Sequence, residues 1–316
     1  MSSVGRPIRF GVSGAFGGDP ARWAETARRA ESIGFDVLHI ADHLVPSALS
    51  PFTAAGVALG ATERLHVGTL VLNNDFRHPV IVAREAATLG LVSGGRFELG
   101  LGAGHMKFEY DEAGIPFDPA AVRVERMAEA AEVVRGLLTG DAVTFSGSHY
   151  RIEAHRLGAV PDRTPLLIGG NGRRVLQTAA KLADIVGFTG FLPSDDGSGS
   201  RLTHLDGDAL ARRVELVRDA AGDRFDDLEL QVLVQYVAVT ERRRTDAERI
   251  AARWQIPIDT VLDSPFLMLG TVDHIAEQIL GWRERLGITA FATFATRPES
   301  DQRLETLEPV IAAVRR

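Results

Sequence analysis

The sequence predicts an α/β protein folded as a (β/α)8 TIM barrel. Strand-like and helix-like segments alternate along all 316 residues, a rhythm typical of a parallel sheet covered by helices. Eight segments have the apolar, β-branched composition of buried strands, the number that a closed barrel needs. A doubly wound open sheet is the structural alternative, but the count of eight and the single continuous rhythm favour the barrel.

The first half of the chain supplies four of these strands. A helix at 20–34 has Pro20 in its first turn, an apolar stripe of Trp23, Ala27 and Ala30, and Gly34 at its end. The remaining elements of this half are strands at 8–14, 36–41, 65–72 and 96–104 and helices at 78–93 and 121–138.

The second half repeats the pattern after an interruption. Residues 142–153 read as a hairpin that turns at Ser146-Gly147-Ser148, within an insertion at 142–160. A polar, Gly/Ser-rich loop at 190–206 follows the sixth strand and is predicted to be mobile. The other elements are strands at 164–170, 184–190, 228–239 and 288–294 and helices at 173–183, 271–287 and 301–315. We therefore predict one domain over 1–316.

The composition excludes several classes of function. The chain is 45% hydrophobic and 24% charged, with a net charge of −7, which gives no reason to expect nucleic acid or an anionic membrane as partner. It has no cysteine, so disulfides and thiolate catalysis are excluded. No apolar run approaches the ~18 residues of a membrane span, and the N-terminus lacks a signal-peptide core. We expect a cytoplasmic protein with a small-molecule substrate.

Two ionisable residues stand where the second strand ends, in the stretch "DVLHIADHL" at 36–44. In a barrel, residues at the carboxyl ends of strands line the active site, so Asp42 and His43 are candidate catalytic residues. Histidine donates or accepts protons near neutral pH because its ordinary pKa is about 6.5. The alternative is a polar pair that fixes a loop.

Two glycine-rich stretches also follow strands. "GLGAGH" at 100–105 lets a ligand approach the backbone or forms a tight turn with positive φ, and its spacing is not the dinucleotide fingerprint. In "LLIGGNGRRVLQTAAKLAD" at 166–184, a strand runs through glycines into a helix that begins with two arginines. Free N–H groups at a helix N-terminus, with arginines beside them, make a phosphate site; a turn without a ligand is the alternative.

A metal site is not expected. His39 and His43 are four residues apart and share a strand face, but His39 lies in mid-strand. No further cluster of histidine and carboxylate has the spacing of metal ligands.

Taken together, these stretches resemble the luciferase-like monooxygenase superfamily, and within it the actinobacterial branch that uses the deazaflavin coenzyme F420. The resemblance covers nearly the whole chain. It is carried by "ARRAESIGFDVLHIADHL", "LHVGTLVLNNDFRHPVIVAREAATLGLVSGGRFELGLGAG", "PLLIGGNGRRVLQTAAKLAD" and "LGTVDHIAEQILGWRERLGI". It implies a luciferase-like barrel, a cofactor ring in the mouth of that barrel, and a homodimer.

The resemblance also implies roles for individual residues. His43 would donate or accept the proton, and Asp42 would hold the ring or orient the site. Leu70 and Val71 match a cis peptide bond behind the ring, although the alignment leaves its position open by one residue. The loop that contacts the ring would be Ala103, Gly104 and His105, and the phosphate turn would be Gly169, Gly170, Asn171, Gly172 and Arg173.

The sequence departs from the family at His105, where some F420 enzymes place a carboxylate as a second acid. Glu109 or Asp111 would then have to reach in, or His105 replaces that group. Sugar-phosphate dehydrogenases of this branch surround the substrate phosphate with lysines, whereas only two lysines, Lys107 and Lys181, are present here. A phosphorylated sugar is therefore not the expected substrate.

Three functions are weighed. The first is an F420-dependent oxidoreductase that transfers hydride between the deazaflavin and an unidentified small organic substrate. The second is an FMN-dependent monooxygenase fed by a separate reductase, and the third is a flavin-binding protein without turnover. The long acidic tail of F420 needs a basic exit path, for which Arg173, Arg174 and Arg123 are the candidates; the Asp42-His43 pair argues against a protein without turnover.

Overall fold

Eight parallel strands of the chain close into a barrel in the computed structural model, which describes residues 6–13, 20–46, 48–193, 200–294 and 304–316. In chain order the strands are β1 (Arg9–Ser13), β2 (Val37–Ile40), β3 (His66–Thr69), β4 (Leu72–Asn73), β5 (Phe97–Gly102), β6 (Val143–Ser146), β7 (Arg151–His155), β8 (Leu166–Gly169), β9 (Ile185–Phe188), β10 (Phe191–Pro193), β11 (Ser200–Leu202), β12 (Glu229–Leu233), β13 (Tyr236–Val239), β14 (Leu267–Gly270) and β15 (Ile288–Phe294). The ring runs β1-β2-β3-β5-β8-β9-β12-β15 and closes between β15 and β1. All eight predicted strands belong to it, so the barrel prediction is confirmed.

Helices cover the outside of the ring. They are α1 (Trp23–Ile33), α2 (Pro51–Ala61), α3 (Pro79–Val92), α4 (Lys107–Ala113), α5 (Ala120–Leu137), α6 (Arg173–Leu182), α7 (Gly207–Ala221), α8 (Arg243–Trp254), α9 (Ile258–Leu262), α10 (Val272–Leu286) and α11 (Glu308–Val314). Caps at both ends of α10 confirm the predicted start and stop: the Thr271 hydroxyl accepts from the N–H of His274, and Gly287 is left-handed. The sequence analysis did not predict α2, α4, α7, α8 or α9.

The third strand is interrupted by a cis peptide bond between Leu70 and Val71, at the predicted position. Beyond the bond the chain continues as β4, which pairs with the carboxyl half of β5. Atoms on either side of this bond occupy the space that side chains on β5 would need. A Cβ on Gly102 would lie 2.4 Å from Val71 Cγ2, and one on Gly100 would lie 2.0 Å from the Thr69 carbonyl oxygen. The alternating glycines of "GLGAGH" thus make room for protein atoms.

The predicted seventh strand, 228–239, is two strands. Its first part, β12, belongs to the barrel, while β13 pairs in parallel with β14 in a separate two-stranded sheet. The change of partner occurs at Val234 and Gln235. The N–H of Val234 still donates to Ala292 of β15, but the N–H of Gln235 donates to Phe266, next to β14.

The two predicted non-barrel segments have strands of their own. β6 and β7 form the antiparallel hairpin within 142–160, and its turn is held by Glu129, whose carboxylate accepts the N–H groups of Ser148, His149 and Tyr150. In the loop at 190–206, β10 pairs with β11, and residues 194–199 lie outside the described part. The mobility of this loop stays a prediction.

Charged side chains close the N-terminal end of the barrel. Arg9 donates to Glu229 at 2.7 Å and contacts Glu98, and His66 Nδ1 lies 3.0 Å from Glu98. Both carboxylates are buried. Burial alone raises the pKa of Glu98, but the charge of Arg9 and the hydrogen bond from His66 outweigh it and lower that pKa to about 2. Burial raises the pKa of Glu229. The Arg9 guanidinium therefore contacts two carboxylates, one with a lowered and one with a raised pKa.

We expect Arg9→Met to lower the free energy of unfolding by about 3–5 kcal/mol near neutral pH, because it leaves buried carboxylates without their counter-charge. The pKa of Glu98 is depressed in the folded state, so the stability from this contact is present above the unfolded pKa of about 4.3 and is lost as pH falls toward about 2. The difference between wild type and variant should therefore shrink below about pH 4. Urea unfolding at several pH values measures it.

The matched control is Arg29→Met, since Arg29 makes an exposed pair with Glu305. It should cost no more than about 1 kcal/mol at any pH. Equal losses for the two variants would contradict a buried, charge-dependent role for Arg9.

Candidate active site

Three titratable side chains meet at the carboxyl end of the barrel. His43 follows β2, and its Nδ1 lies 2.7 Å from Oε1 of Glu109 on α4. The Glu109 side chain is only 2% exposed and that of His43 16%. His105, which follows β5, places its ring edge-on to the His43 ring with centroids 5.7 Å apart. A buried carboxylate therefore orients the strand-end histidine.

Of the two carboxylates considered at His105, the structure brings one to His43, while the role of a second acid stays a prediction. Asp111 bonds Lys107 Nζ at 2.7 Å on the exposed side of α4, so Glu109 is the carboxylate that reaches His43. Burial lowers the pKa of His105 to about 4, helped by the positive charges of His43 and Arg123. His105 is thus a neutral neighbour of the pair.

Asp42 is turned into the protein. Its side chain is 2% exposed, and Oδ2 accepts the N–H of Asn73 at 3.0 Å while Oδ1 accepts from Arg77 Nη2 at 3.0 Å. A second Arg77 nitrogen also bonds Oδ2. Asp42 therefore fixes the backbone at Asn73, just beyond the cis peptide bond. This is the loop-fixing role that the sequence analysis named as the alternative to catalysis. Contact of Asp42 with a cofactor ring stays a prediction.

Tyr110 anchors α4 beside the site. It is fully buried, and its hydroxyl lies 2.9 Å from Asn73 Oδ1 and 3.0 Å from Asp75 Oδ2. Burial, followed by the charge of Asp75, raises the pKa of Tyr110. Gly104 has a φ of +72°, and a Cβ there would lie 2.0 Å from the Tyr110 oxygen. Only glycine fits this position, and the reason is contact with Tyr110.

Arg123 holds the loop after β5. Its Nε donates to the carbonyl of Ala103 at 3.2 Å and its Nη2 to that of Gly104 at 3.4 Å, while Nη1 bonds the carbonyl of Asp118. The guanidinium also lies 3.9 Å from the centroid of the Phe117 ring. Its donors are used on this loop and on Asp118, and a part for Arg123 in a basic exit path stays a prediction.

The predicted phosphate turn lies beside the same site. A Cβ on Gly169 would lie 3.6 Å from Val71 Cγ1. The N–H of Gly170 donates to Gly187 at 3.0 Å, and Asn171 Nδ2 donates to the Phe191 carbonyl at 2.7 Å. The Phe191 ring centroid is 6.4 Å from that of His105. Gly170 and Asn171 thus tie this turn to the loop after β9.

Within the predicted phosphate turn, the N-terminus of α6 has groups that could bind a ligand. Gly172 is its N-cap and provides no side-chain hydrogen bond, so the N–H groups of the first turn lack partners within the helix. Arg173 and Arg174 are exposed and form no ion pair or side-chain hydrogen bond within the described ranges. An uncapped helix N-terminus with two unpaired arginines favours an anion such as a phosphate.

Several site residues could not be found from the sequence. Arg77 and Tyr110 act through Asp42 and Asn73, which are distant in the chain, and no spacing rule links them. Arg213 likewise bonds the Asn171 side chain from α7. Across the described residues, no group of three or more side chains is arranged to hold a metal, and no helix is long and apolar enough to cross a membrane.

Comparison with known proteins gives a family. The family model for luciferase-like monooxygenases matches residues 6–261. An F420-dependent glucose-6-phosphate dehydrogenase of Nakamurella multipartita is 32% identical over 249 residues, or 75% of this chain and 70% of that protein. A 5,10-methylenetetrahydromethanopterin reductase of Archaeoglobus fulgidus is 32% identical over 52% of this chain and 48% of its own length. The chain spans about half the length of several such relatives.

Solved structures share the fold. An F420-dependent secondary alcohol dehydrogenase in complex with an F420-acetone adduct superposes with a TM-score of 0.76 at 23% identity, over 98% of this chain and 100% of that one. A long-chain alkane monooxygenase gives 0.75 at 16% identity, over 98% and 91%. At these identities the likeness shows the barrel alone. The match of the family model over most of the sequence shows that the chain belongs to the luciferase-like monooxygenase family.

Proposed function

We propose that this protein is an F420-dependent oxidoreductase that transfers hydride between the deazaflavin and a small organic substrate. The observation that carries the proposal is the bond between His43 and the buried Glu109 at the carboxyl end of the barrel. Relatives that cover more than half of this chain are named as F420-dependent dehydrogenases, which supports the cofactor.

The residues present fit such a cofactor. Arg173, Arg174 and the uncapped start of α6 would hold its phosphate. The bulge at Leu70 and Val71 and the loop of Ala103, Gly104 and His105 would border its ring. A bound deazaflavin supplies the group that gains or loses hydride. The chain then has to provide orientation, exclusion of water and proton transfer.

His43 provides the proton transfer in this proposal. With Nδ1 bonded to Glu109, the ring exchanges a proton with a substrate hydroxyl or carbonyl oxygen through Nε2. Glu109 stabilises the imidazolium that forms when His43 accepts a proton, as a buried carboxylate next to a histidine does in other enzymes. Asp42 contributes indirectly, because it holds Asn73, and Asn73 holds Tyr110 beside Glu109.

The other two functions have less support. An FMN-dependent monooxygenase would fit the barrel and the phosphate turn, but the likeness to a solved monooxygenase at 16% identity supports the fold alone. A binding protein without turnover has no use for a histidine oriented by a buried carboxylate. The single-domain organisation, the cytoplasmic location and the actinobacterial source stay predictions from the sequence.

We also propose a homodimer formed through α2 and α3. Helix α2 contains no charged residue, and its exposed positions are the small or apolar Thr53, Gly56, Val57 and Gly60. On the neighbouring α3, Ile81, Leu91 and Val92 are 40%, 45% and 74% exposed. The exposed positions of α3 also include Arg84 and Thr88, so the surface is largely but not wholly apolar. A largely apolar exposed surface is typical of an interface, and a second copy supplies a matching one.

The cofactor assignment predicts tight binding of F420 and weak binding of FMN, measured by titration with each and following ligand fluorescence. Replacing Arg174 by Ala should weaken F420 binding about tenfold, since one charge-assisted contact is worth about 1.5–3 kcal/mol. Arg244→Ala on α8 is the control and should leave binding unchanged. Tighter binding of FMN than of F420 would favour the monooxygenase, and binding of neither would refute the proposal.

Tyr110→Phe should loosen the bond between His43 and Glu109. Loss of the hydroxyl removes one hydrogen bond from Asn73 and one from Asp75, which keep their bonds to each other and to Arg126. The cost should be about 1 kcal/mol in stability, and α4 loses the anchor beside Glu109. The proton NMR signal of the His43 Nδ1–H, shifted downfield by its bond to Glu109, should be lost or broadened in the variant.

Tyr150→Phe is the matched control, because the Tyr150 hydroxyl accepts from Asn74 in the same turn at 3.3 Å but lies at the hairpin. It should keep the signal. A Tyr110→Phe variant with an unchanged signal would show that Glu109 is positioned without Tyr110.

The dimer predicts a sedimenting mass of twice 34.1 kDa for the wild type. Val57→Arg should give the monomer mass, because a buried unpaired guanidinium is costly at an apolar interface. Val239→Arg, which replaces another exposed valine, should leave the dimer intact. A dimeric Val57→Arg protein would place the interface elsewhere.

A further inference from the structure

We propose that Arg213 is a positioning residue for the cofactor phosphate: it fixes the turn before α6 through Asn171 and places a buried positive charge next to that turn. Arg213 belongs to α7 and lies 42 residues beyond Asn171 in the chain. The proposal deepens the proposed function and rests on it, since it takes the N-terminus of α6 as the place where the phosphate binds.

The guanidinium of Arg213 joins three segments of the carboxyl end of the barrel. The residue is only 7% exposed. Its Nη1 donates to Asn171 Oδ1 in the turn before α6 and, at 2.9 Å, to the carbonyl of Thr189, which follows β9. Its Nη2 donates to the carbonyl of His204, which follows β11, at 2.9 Å. One planar group with donors in fixed directions therefore ties the phosphate turn to both ends of the β10–β11 loop.

Asn171 is the residue through which Arg213 acts on the helix. Its Oδ1 also accepts the N–H of Thr189 at 3.4 Å, and its Nδ2 donates to the carbonyl of Phe191 at 2.7 Å. Asn171 immediately precedes Gly172, the N-cap of α6. Because both atoms of the side-chain amide are bonded, the chain entering α6 has a fixed position. The N–H groups of the first turn, which would bind the phosphate, follow directly from it.

Arg213 has no carboxylate partner among the described residues. Its hydrogen bonds all end on carbonyl or amide oxygens, whereas Arg77 and Arg126 are bonded to carboxylates. Burial lowers the pKa of Arg213 to about 10, and the negative charge of Asp206 only partly offsets this. The group therefore keeps its positive charge at neutral pH, without an ion pair.

This charge lies in surroundings that screen it weakly. The rings of Phe188 and Phe266 have their centroids 5.9 and 5.3 Å from the guanidinium carbon, and both residues are buried. Attraction between charges is stronger where protein rather than water surrounds them. An anion bound at the start of α6 would supply the opposite charge that Arg213 lacks, in addition to its contacts with the exposed Arg173 and Arg174.

An arginine at the other end of α6 shows why this position points to a ligand. Arg224 donates to the carbonyls of Ala180 and Ala183 at the C-terminal end of the helix. A cation is favourable there, because the helix dipole is negative at that end. Arg213 bonds the residue before the N-cap, where the dipole is positive and a further cation is unfavourable. An anion bound at this end removes that conflict.

The test measures the affinity of the Arg213→Met variant for two ligands by fluorescence titration. One ligand is F420, and the other is its deazaflavin ring with the ribityl chain but without the phosphate. The affinity for F420 should fall about tenfold or more, because the phosphate loses both a positioned turn and a nearby charge. The affinity for the phosphate-free ligand should change by less than about twofold.

Arg224→Met is the matched control, since it removes an arginine that bonds carbonyls at the opposite end of the same helix. It should change neither affinity. Equal losses of both ligands in Arg213→Met would show a general structural role and overturn the proposal, as would unchanged binding of F420.

Asn171→Ala decides the question if Arg213→Met does not fold. This variant leaves Arg213 in place and removes only its acceptor in the turn, so it should show the same selective loss of F420 binding. Combining the two substitutions should weaken F420 binding little further, because both interrupt one contact. Additive losses in the double variant would contradict an action of Arg213 through Asn171.

FMN and riboflavin, which also differ by a phosphate, separate this inference from the proposed function. If the wild type binds FMN and not F420, the proposed function fails. A loss of FMN binding without a loss of riboflavin binding in Arg213→Met would then still support the role of Arg213. If the wild type binds F420 and the variant keeps its preference for the phosphate-bearing ligand, the proposed function stands and the inference about Arg213 is wrong.

Discussion

The buried carboxylate of Asp42 is the constraint on which the rest of the active end depends. It joins the end of β2 to the start of β4 through the N–H of Asn73, and Arg77 neutralises its charge. A buried charge needs such complete partnership. Asn73 lies two residues beyond Val71, and Val71 packs against Gly102 of β5, so the contact with Asp42 belongs to the packing that requires glycine at that position.

The position of the His43–Glu109 pair depends on the same contacts. The Tyr110 hydroxyl donates to Asn73 Oδ1, and this bond positions the preceding residue of α4, Glu109. Helix α4 has only seven residues, too few for a helix to be stable by itself. Its position therefore comes from the burial and hydrogen bonds of Tyr110. Asp42 and His43 are adjacent in the chain but have different partners. The Asp42 side chain is buried against Asn73 and Arg77, whereas the His43 side chain contacts Glu109.

The sequence predicts the strands and the turns well, but it does not predict hydrogen bonds between side chains that are far apart in the chain. Periodicity located all eight barrel strands, and the resemblance located the cis bond at Leu70 and Val71, because both are recorded in a few consecutive residues. The departure of β13 from the barrel left no such record. Residues 228–239 are apolar apart from Glu229, Gln231 and Gln235, which gives no break at which to divide them, and the pairing of β13 with β14 is what separates the two strands. Arg77 and Tyr110 were missed for the same reason, since their partners lie 35 and 37 residues away.

Charged side chains have different partners at the two ends of the barrel. At the N-terminal end, Arg9 of β1 bonds both Glu98 of β5 and Glu229 of β12, so these charges link three strands of the barrel. At the carboxyl end, Arg77 and Arg126 are paired with Asp42 and Asp75. Arg123 bonds backbone carbonyls, and Arg213 bonds the Asn171 side chain and two carbonyls. Within the described ranges, Arg173 and Arg174 at the start of α6 form no ion pair, and they lie on a different strand end from the His43–Glu109 pair. The charge of these two arginines therefore favours an anionic cofactor group at the start of α6, apart from the pair.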